Sequence, residues 1–320
     1  MEKGNITLEE KYLSEEEIER LIAIAEESDP CKEQLNVLMD CKTTSSVVDL
    51  IKANWEWVAR SEILTEEVFH ILDIRLCKKN GLFRNESVSS GYVVIDEPFV
   101  EGTPMYCIRG IDTKAAVYGS SRVRALVGTI VLAKNDSHVM AYDARVYLYN
   151  RASCVATGCS EIEMFDTTSA TASDMCHIFA LGKSELIAQG NCIVHAVDSA
   201  SISLTENSIA KVENKCKVVA NDYAVVVSKG RCEIKLFGSS YCKASSYESI
   251  EAFGRSRVEA FGGAKVVCDE FSTVLLNDFA KATMRGDSFA MIFNERCEAI
   301  SESTNSIIKS VFKSSEKIQN

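Results

Sequence analysis

A turn-forming residue recurs every eight positions through the second half of this chain. From Asn150 to Asn294, every such position except Glu206, Ser246 and Glu270 holds Gly, Asp or Asn. These residues tolerate a positive φ or bond to their own backbone, so they are typical of tight corners. The spacing therefore predicts short segments of equal length, each ended by a corner.

Small or apolar residues alternate with polar ones between the corners. After the corner at Asp174, for example, Cys176, Ile178 and Ala180 follow at steps of two. Period-two patterning is typical of a β-strand with one buried face. Before Asp143 the same pattern continues, but its corners fall on odd-numbered instead of even-numbered residues. A seven-residue step from Asp143 to Asn150 joins the two parts of the repeat. Because the missing residue falls at a corner, no strand should be turned inside out.

The number of sides in each coil is inferred by sorting the corners. Grouping the corner residues at intervals of 16 does not separate glycine from the other residue types. Grouping them at intervals of 24 gives one column without glycine: Asn150, Asp174, Asp198, Asp222, Ser246, Glu270 and Asn294. Stacked residues share an environment, and this segregation favours three sides. The sequence therefore predicts a mainly β fold, a three-sided parallel β-solenoid over residues 111–298. Each coil would have 24 residues, and about seven coils would stack at the spacing between paired strands of a sheet.

The flanks of the repeat have helical periodicity. Residues 1–85 predict an α-helical N-terminal domain, and residues 86–110 a transition segment. In the tail, residues 299–320, apolar side chains at helical spacing predict a C-terminal capping helix: Ile307, Ile308, Val311 and Phe312. Helices at both ends would cover the open sheet edges and oppose end-to-end growth.

Composition limits the class of protein. No apolar run approaches eighteen residues and the N-terminus is acidic, so neither a membrane span nor a secretory signal is expected, and the predicted location is cytoplasmic. The net charge is −11, but most of the acidic excess precedes the repeat, which argues against a nucleic-acid partner. The 13 cysteines are an odd number without paired zinc-type spacing, which favours free buried thiols.

The sequence contains no recognisable catalytic or cofactor motif, so we expect no cofactor and no enzyme activity. Asp174, Asp198 and Asp222 are weak metal candidates, because a 24-residue coil would stack their carboxylates. The favoured alternative is that each caps its own corner. Cys192 and Cys216 would also stack, as a reduced core pair rather than a disulfide.

One predicted outer face carries a single charge, Glu251, and beside it runs a predicted corner ladder of Met175, Tyr223, Tyr247 and Phe271. Large uncharged patches usually contact something. The candidate occupants are the helical domain folded back, a second copy, or a foreign protein. The predicted interface residues are Val155, Met175, His177, Phe179, Tyr223, Val225, Val227, Tyr247, Phe271 and Leu275.

The string RVEAFGGAKVVCDEFSTVLLNDFAKATMRGDS resembles a loosely defined group of bacterial and phage-associated octapeptide-repeat proteins. Their octads have the form x-V-x-A-x-[GDN]-x-[AS], and the helical segment IKANWEWVARSEILTEE is similar to one that precedes them. The resemblance covers residues 111–294 and implies the solenoid fold without an activity. The architecture is also similar to that of bactofilins, although the predicted capping helices argue against a polymerising role.

These observations predict a non-catalytic scaffold that binds protein, or a second copy of itself, through the uncharged face. A phage or mobile-element origin is an extension that rests on the resemblance alone. The alternative is a β-helix enzyme acting on a polymer such as a glycan. Such an enzyme needs long corner loops to build a cleft, and the octads from 150 to 294 contain no insertion.

Overall fold

The structure is a computed structural model that describes residues 8–28, 30 and 32–311. Within them the chain is a mainly β parallel solenoid of about 13 turns, preceded by a small helical region with 6 helices. The helices are α1 (Glu15–Glu26), α2 (Lys32–Asp40), α3 (Thr44–Ala53), α4 (Trp55–Ser61), α5 (Glu66–Leu72) and α6 (Ile74–Lys79). The predicted N-terminal helical region is therefore confirmed.

The start of α1 illustrates why these segments are helical. The Ser14 hydroxyl accepts a hydrogen bond from the Glu17 backbone N–H, and the Glu17 carboxylate accepts one from the Ser14 N–H. This capping box satisfies two backbone donors that a helix start otherwise leaves unpaired. Ile18 and Leu21 then lie on the buried face of the helix.

The strands are short and evenly spaced. They are β1 (Leu82–Arg84), β2 (Tyr92–Ile95), β3 (Tyr106–Ile108), β4 (Lys114–Val117), β5 (Arg122–Ala125), β6 (Ile130–Ala133), β7 (His138–Tyr142), β8 (Arg145–Leu148), β9 (Ser153–Thr157), β10 (Glu161–Met164), β11 (Ser169–Ala172), β12 (His177–Ala180), β13 (Glu185–Ala188), β14 (Ile193–Ala196), β15 (Ser201–Leu204), β16 (Ile209–Asn214), β17 (Lys217–Ala220), β18 (Val225–Gly230), β19 (Glu233–Leu236), β20 (Tyr241–Ala244), β21 (Ser249–Ala252), β22 (Arg257–Ala260), β23 (Lys265–Cys268), β24 (Thr273–Leu276), β25 (Lys281–Met284), β26 (Phe289–Ile292), β27 (Glu298–Ser301) and β28 (Ile307–Ser310). Strand pairing thus begins at Leu82, earlier than the predicted start near Ile111 and through the predicted transition segment.

The chain divides into two compact units, the first ending at Met140 and the second beginning at Ala141. In the first unit, β1, β2, β4 and β6 pair in that order, and β3 pairs with β5. In the second unit, the even-numbered strands from β8 to β28 form one parallel sheet. The odd-numbered strands from β9 to β27 form another. We call these two arrays of the second unit the even sheet and the odd sheet.

The register of both sheets joins residues sixteen apart. His177 pairs with Ile193 in the even sheet, and Ser169 pairs with Glu185 in the odd sheet. Successive octads therefore alternate between two sheets, and each coil has two sides and sixteen residues. The predicted three-sided coil of 24 residues is wrong.

The corners show why sorting by residue type gave the wrong period. Gly190 stacks on Asp174, and a Cβ added at Gly190 would lie 3.0 Å from the backbone N and O of Asp174. The Asp174 carboxylate in turn accepts a hydrogen bond of 3.1 Å from the N–H of Gly158, one coil earlier. Neighbouring corners are thus complementary rather than alike, so glycine and acidic residues mix within each true column.

The core lies between the inward faces of the two sheets. On β12, Ile178 and Ala180 are buried while His177 and Phe179 are exposed, which confirms the predicted alternation. The seven-residue step is also accommodated as predicted. β8, which lies within this step, still buries Val146 and pairs in register with β10.

The C-terminal segment is not helical where the structure describes it. β27 and β28 add a further turn, in which the Glu298 N–H donates to Ala280 O and the Ile307 N–H donates to Ser288 O. The open edge of the preceding turn thus binds this segment as strands, and the predicted capping helix is wrong for Ile307 and Ile308. Phe312 and the remainder of the predicted helix lie outside the described residues.

Candidate interaction face

The structure separates the predicted interface residues into several groups. Val155 faces outward from the odd sheet, where it pairs with Thr171. The outward positions of the even sheet hold His177, Phe179, Val225, Val227 and Leu275. The strands on this sheet therefore bring together part of the predicted set, and Val155 is not among it.

The predicted corner ladder does not form. Met175, Tyr223 and Phe271 lie at the edge where the chain enters the even sheet, each three turns from the next at the observed register. Tyr247 lies at the opposite edge, where its ring covers Gly263 of the following coil. These exposed side chains are isolated from one another.

The register adds three residues to the outward face of the even sheet. Ile193, Ile209 and Tyr241 stand in one line with His177 and Val225 on successive strands from β12 to β20. We define the apolar strip as Phe179, Ile193, Ile209, Val225, Val227 and Tyr241. Its members Phe179, Ile193, Ile209 and Val227 are 49%, 49%, 47% and 41% exposed.

Direct strand pairing holds the apolar strip together. Val225 lies between Ile209 and Tyr241 in the register, at the spacing of about 4.8 Å that separates paired strands. The rings of Phe179 and His195 meet edge to face with centroids 5.8 Å apart. The result is a continuous apolar surface on a rigid sheet, larger than scattered exposed side chains would give.

Most charges around the strip are neutralised within the face. Arg145 pairs with Glu161 at 2.6 Å, before the strip begins. Lys211 pairs with Glu213 at 2.8 Å, and this hydrogen bond is the main cause of the lowered pKa of the Glu213 carboxyl. Beyond the strip, Arg257 pairs with Glu259 at 3.2 Å, so the face presents few unpaired charges to a partner.

Among the described residues of this face, Glu163 on β10, Lys229 on β18 and Lys243 on β20 have no ion-pair partner. Glu163 and Lys243 lie on the outermost of these strands. The Lys243 ammonium lies 5.5 Å from the ring centroid of Phe261, which leaves it open to a carboxylate. The strip therefore ends in an acidic side chain at one end and a basic one at the other.

The candidate metal ligands do not stack. Asp174 and Asp222 lie at one edge of the solenoid, and Asp198 lies at the other. Asp222 accepts a hydrogen bond from the Glu206 N–H, in the same manner as Asp174 accepts one from a corner one coil earlier. No group of three or more metal-ligating side chains occurs among the described residues.

The stacked cysteines are different pairs from the predicted one. Cys176 stacks with Cys192 and Cys216 with Cys232, each pair one coil apart and buried. Within the first pair, the hydrogen bond between the thiols lowers the pKa of Cys192 and raises that of Cys176. All the cysteines that the structure describes are free, and most are buried.

Several depressions lie in the first unit, and one of them is a cleft of about 250 Å³ lined in part by Phe99, Tyr106 and Arg122. An apolar cavity of about 60 Å³ among the helices is smaller than a typical ligand pocket. A polar cleft of about 470 Å³ is lined by Lys11, Glu66, Phe69, His70, Asp73, Ile74 and Arg84. Its cations already have partners, since Lys11 pairs with Glu17 at 2.7 Å and Arg84 with Asp96 at 2.9 Å. None of these depressions offers a site as well defined as the strip.

Fold and surface together define a parallel two-sided β-solenoid with one apolar sheet face. No protein-family model, curated protein sequence or solved structure matches the chain. Among the described helices, none has the length and apolar character needed to cross a membrane.

Proposed function

We propose that this chain is a non-catalytic scaffold that binds protein through the apolar strip. The observation that carries the proposal is the unbroken line of apolar side chains on four adjacent strands, β14 to β20, with Phe179 of β12 beside it. Half-exposed Phe, Ile, Val and Tyr side chains gain free energy when a partner removes them from water. The alternative of a polymer-acting enzyme has no specific observation in its favour.

The rigidity of the sheet beneath the apolar strip supports a role in binding. Each strand of the strip is hydrogen-bonded to both neighbours, and its inward side chains, such as Val194 and Val226, are buried. A partner would therefore meet side chains that are already ordered, which lowers the entropic cost of association. A phage or mobile-element origin remains an extension of the proposal.

The test replaces Val225 and Val227 with Lys and compares association with the wild type. The matched control places Lys at Ile187 and Val219, which are exposed at similar levels, 45% and 38%, on the odd sheet. Complexes would be isolated from cells that express each form, beside sedimentation of the purified proteins. We expect association to be lost with the strip variant and kept with the control. Equal behaviour of the two variants would contradict the proposal.

We also propose a cytoplasmic location, which the free thiols support. Stacked pairs such as Cys176 and Cys192 would be prone to cross-link in an oxidising compartment. Rapid alkylation of cell extracts, followed by mass measurement, should find these thiols reduced. Recovery of either stacked pair as a disulfide would contradict this location.

A further inference from the structure

We propose that the partner of the apolar strip is a second copy of this chain. The inference rests on the proposed binding role of the strip and names its occupant. The two copies are related by a two-fold axis that runs along the strand direction, between β14 and β16. The solenoids therefore pack face to face with their long axes antiparallel.

This symmetry places four of the six residues of the strip against apolar side chains of the second copy. The axis places β14 over β16 of the second copy, so Ile193 faces the second copy's Ile209. One strand further out, β12 lies over β18, and Phe179 faces Val227. A two-fold interface makes every contact twice, so a surface that binds itself must be complementary to its own reversed order. Phe179, Ile193, Ile209 and Val227 meet that condition, whereas Val225 faces the second copy's His177 and Tyr241 faces its Glu161. Beside the axis, His195 faces the second copy's Lys211.

Glu163 and Lys243 are also complementary across this two-fold axis. Glu163 on β10 and Lys243 on β20 are equally far from the axis, each about two and a half strand spacings, or about 12 Å, away. Both occupy the second outward position of their strand, as the pairings of Glu163 with Phe179 and of Val227 with Lys243 show. Glu163 therefore faces Lys243 of the second copy, and the contact occurs twice.

The other two-fold arrangement is unfavourable. An axis along the length of the solenoid would lay each strand on the same strand of the second copy. Glu161 would then face Glu163, and the unpaired carboxylate of Glu163 would meet like charge. Because like charges across an interface oppose association, the antiparallel arrangement is the one that the charges select.

The area of the face determines how strongly we expect the two copies to associate. Six strands from β10 to β20 span about 29 Å at about 4.8 Å each, and one side of a coil is about 18 Å wide. The dimer would bury roughly 500 Å² per copy, about 1,000 Å² in total, which is at the low end for specific interfaces. We therefore expect a reversible dimer with a dissociation constant in the micromolar range.

The test uses charge reversal of the full-length chain, followed by sedimentation velocity over a series of concentrations. Glu163→Lys and Lys243→Glu each place like charges together at both symmetric contacts. Each variant alone should dimerise at least about tenfold more weakly than the wild type, given the modest energy of exposed ion pairs. Mixed in equal amounts, the two variants should form a heterodimer, because both contacts then join opposite charges.

The control is Lys265→Glu, a reversal of an exposed charge on the odd sheet, which should dimerise as the wild type does. Circular dichroism would verify that every variant is folded. A wild type that stays monomeric at about 100 µM, or variants whose mixture does not associate, would overturn the inference. The proposed binding role is tested separately. It would be contradicted if replacing Val225 and Val227 with Lys left every association of the protein unchanged.

Discussion

Single residues at the corners determine how closely successive coils can stack. Asp174 has a φ of 65° and Gly190, directly above it, a φ of 76°. The acidic residue bonds back to the previous coil, and the glycine leaves room for the backbone beneath it. A corner column therefore needs residues that fit each other, and a list of residue types does not reveal this.

The first prediction concerns glycine at a stacked corner. Gly190→Ala should destabilise the fold by about 2–4 kcal/mol, because it adds a positive-φ penalty and a close contact with Asp174. Gly119→Ala is the matched control, since its φ is 60° but no atom lies within 4 Å of the added Cβ. Urea unfolding should show a loss of only about 1–2 kcal/mol for the control. Equal losses would mean that close stacking costs nothing.

The second prediction concerns Glu248, which is fully buried in a column of small residues. Its carboxylate accepts hydrogen bonds from the N–H groups of Ser245 and Ser246, at 3.3 and 2.8 Å. Glu248→Ala would leave the Ser246 N–H without this acceptor and create a cavity, whereas the Ser245 N–H keeps its bond to Ser228 O. We therefore expect a loss of about 1–3 kcal/mol in the free energy of unfolding. Glu233→Ala, an exposed glutamate of β19, serves as control and should change it by less than about 1 kcal/mol.

At the scale of elements, the octads and their alternation could be predicted, because they are local properties of the chain. The coil length could not be read from corner composition, since a corner fits its neighbour without resembling it. Side-chain pairs sixteen residues apart carry the missing signal. The rings of Tyr149 and Phe165 stack with centroids 4.7 Å apart, and Arg145 pairs with Glu161. The same error in coil length kept Ile193, Ile209 and Tyr241 out of the predicted interface.

The C-terminal error has a different physical cause. Ile307, Ile308 and Val311 fit a helical spacing, but β28 lies beside an open sheet edge. Hydrogen bonds to that edge outweigh a weak local helical preference, which is a common result of tertiary context. A local pattern cannot show which sheet edge a segment will meet.

The third prediction tests the coil length through energetic coupling. The Lys235 ammonium lies 3.0 Å from the carboxylate of Glu251, sixteen residues later. A double-mutant cycle with alanine at both positions should give a coupling of about 0.2–1 kcal/mol. The matched cycle of Lys235 with Glu259, twenty-four residues later and on the even sheet, should give none. Coupling in the second cycle only would favour the three-sided coil.

At the scale of the whole molecule, a solenoid is stabilised by contacts between neighbouring turns only. In the even sheet, β18 is bonded to strands on both sides, whereas β28 is the last strand in the order among the described residues. A turn with one neighbour has fewer interactions that oppose its opening.

The fourth prediction follows from this difference. We expect the backbone amides of β28 to exchange with deuterium at least about tenfold faster than those of β18, because local opening at an end costs less free energy. Mass spectrometry of peptides from a time course would measure the rates. Peptides covering β14 serve as an interior reference and should exchange as slowly as β18. Equal protection of β28 and β18 would contradict the expectation.

The apolar strip is assembled from stretches of chain that lie sixteen residues apart, one side chain or two from each. No short linear peptide contains more than a fragment of it. An antibody that recognises this surface must therefore see a discontinuous epitope, and its signal should vanish on a denaturing blot while it persists on the native protein.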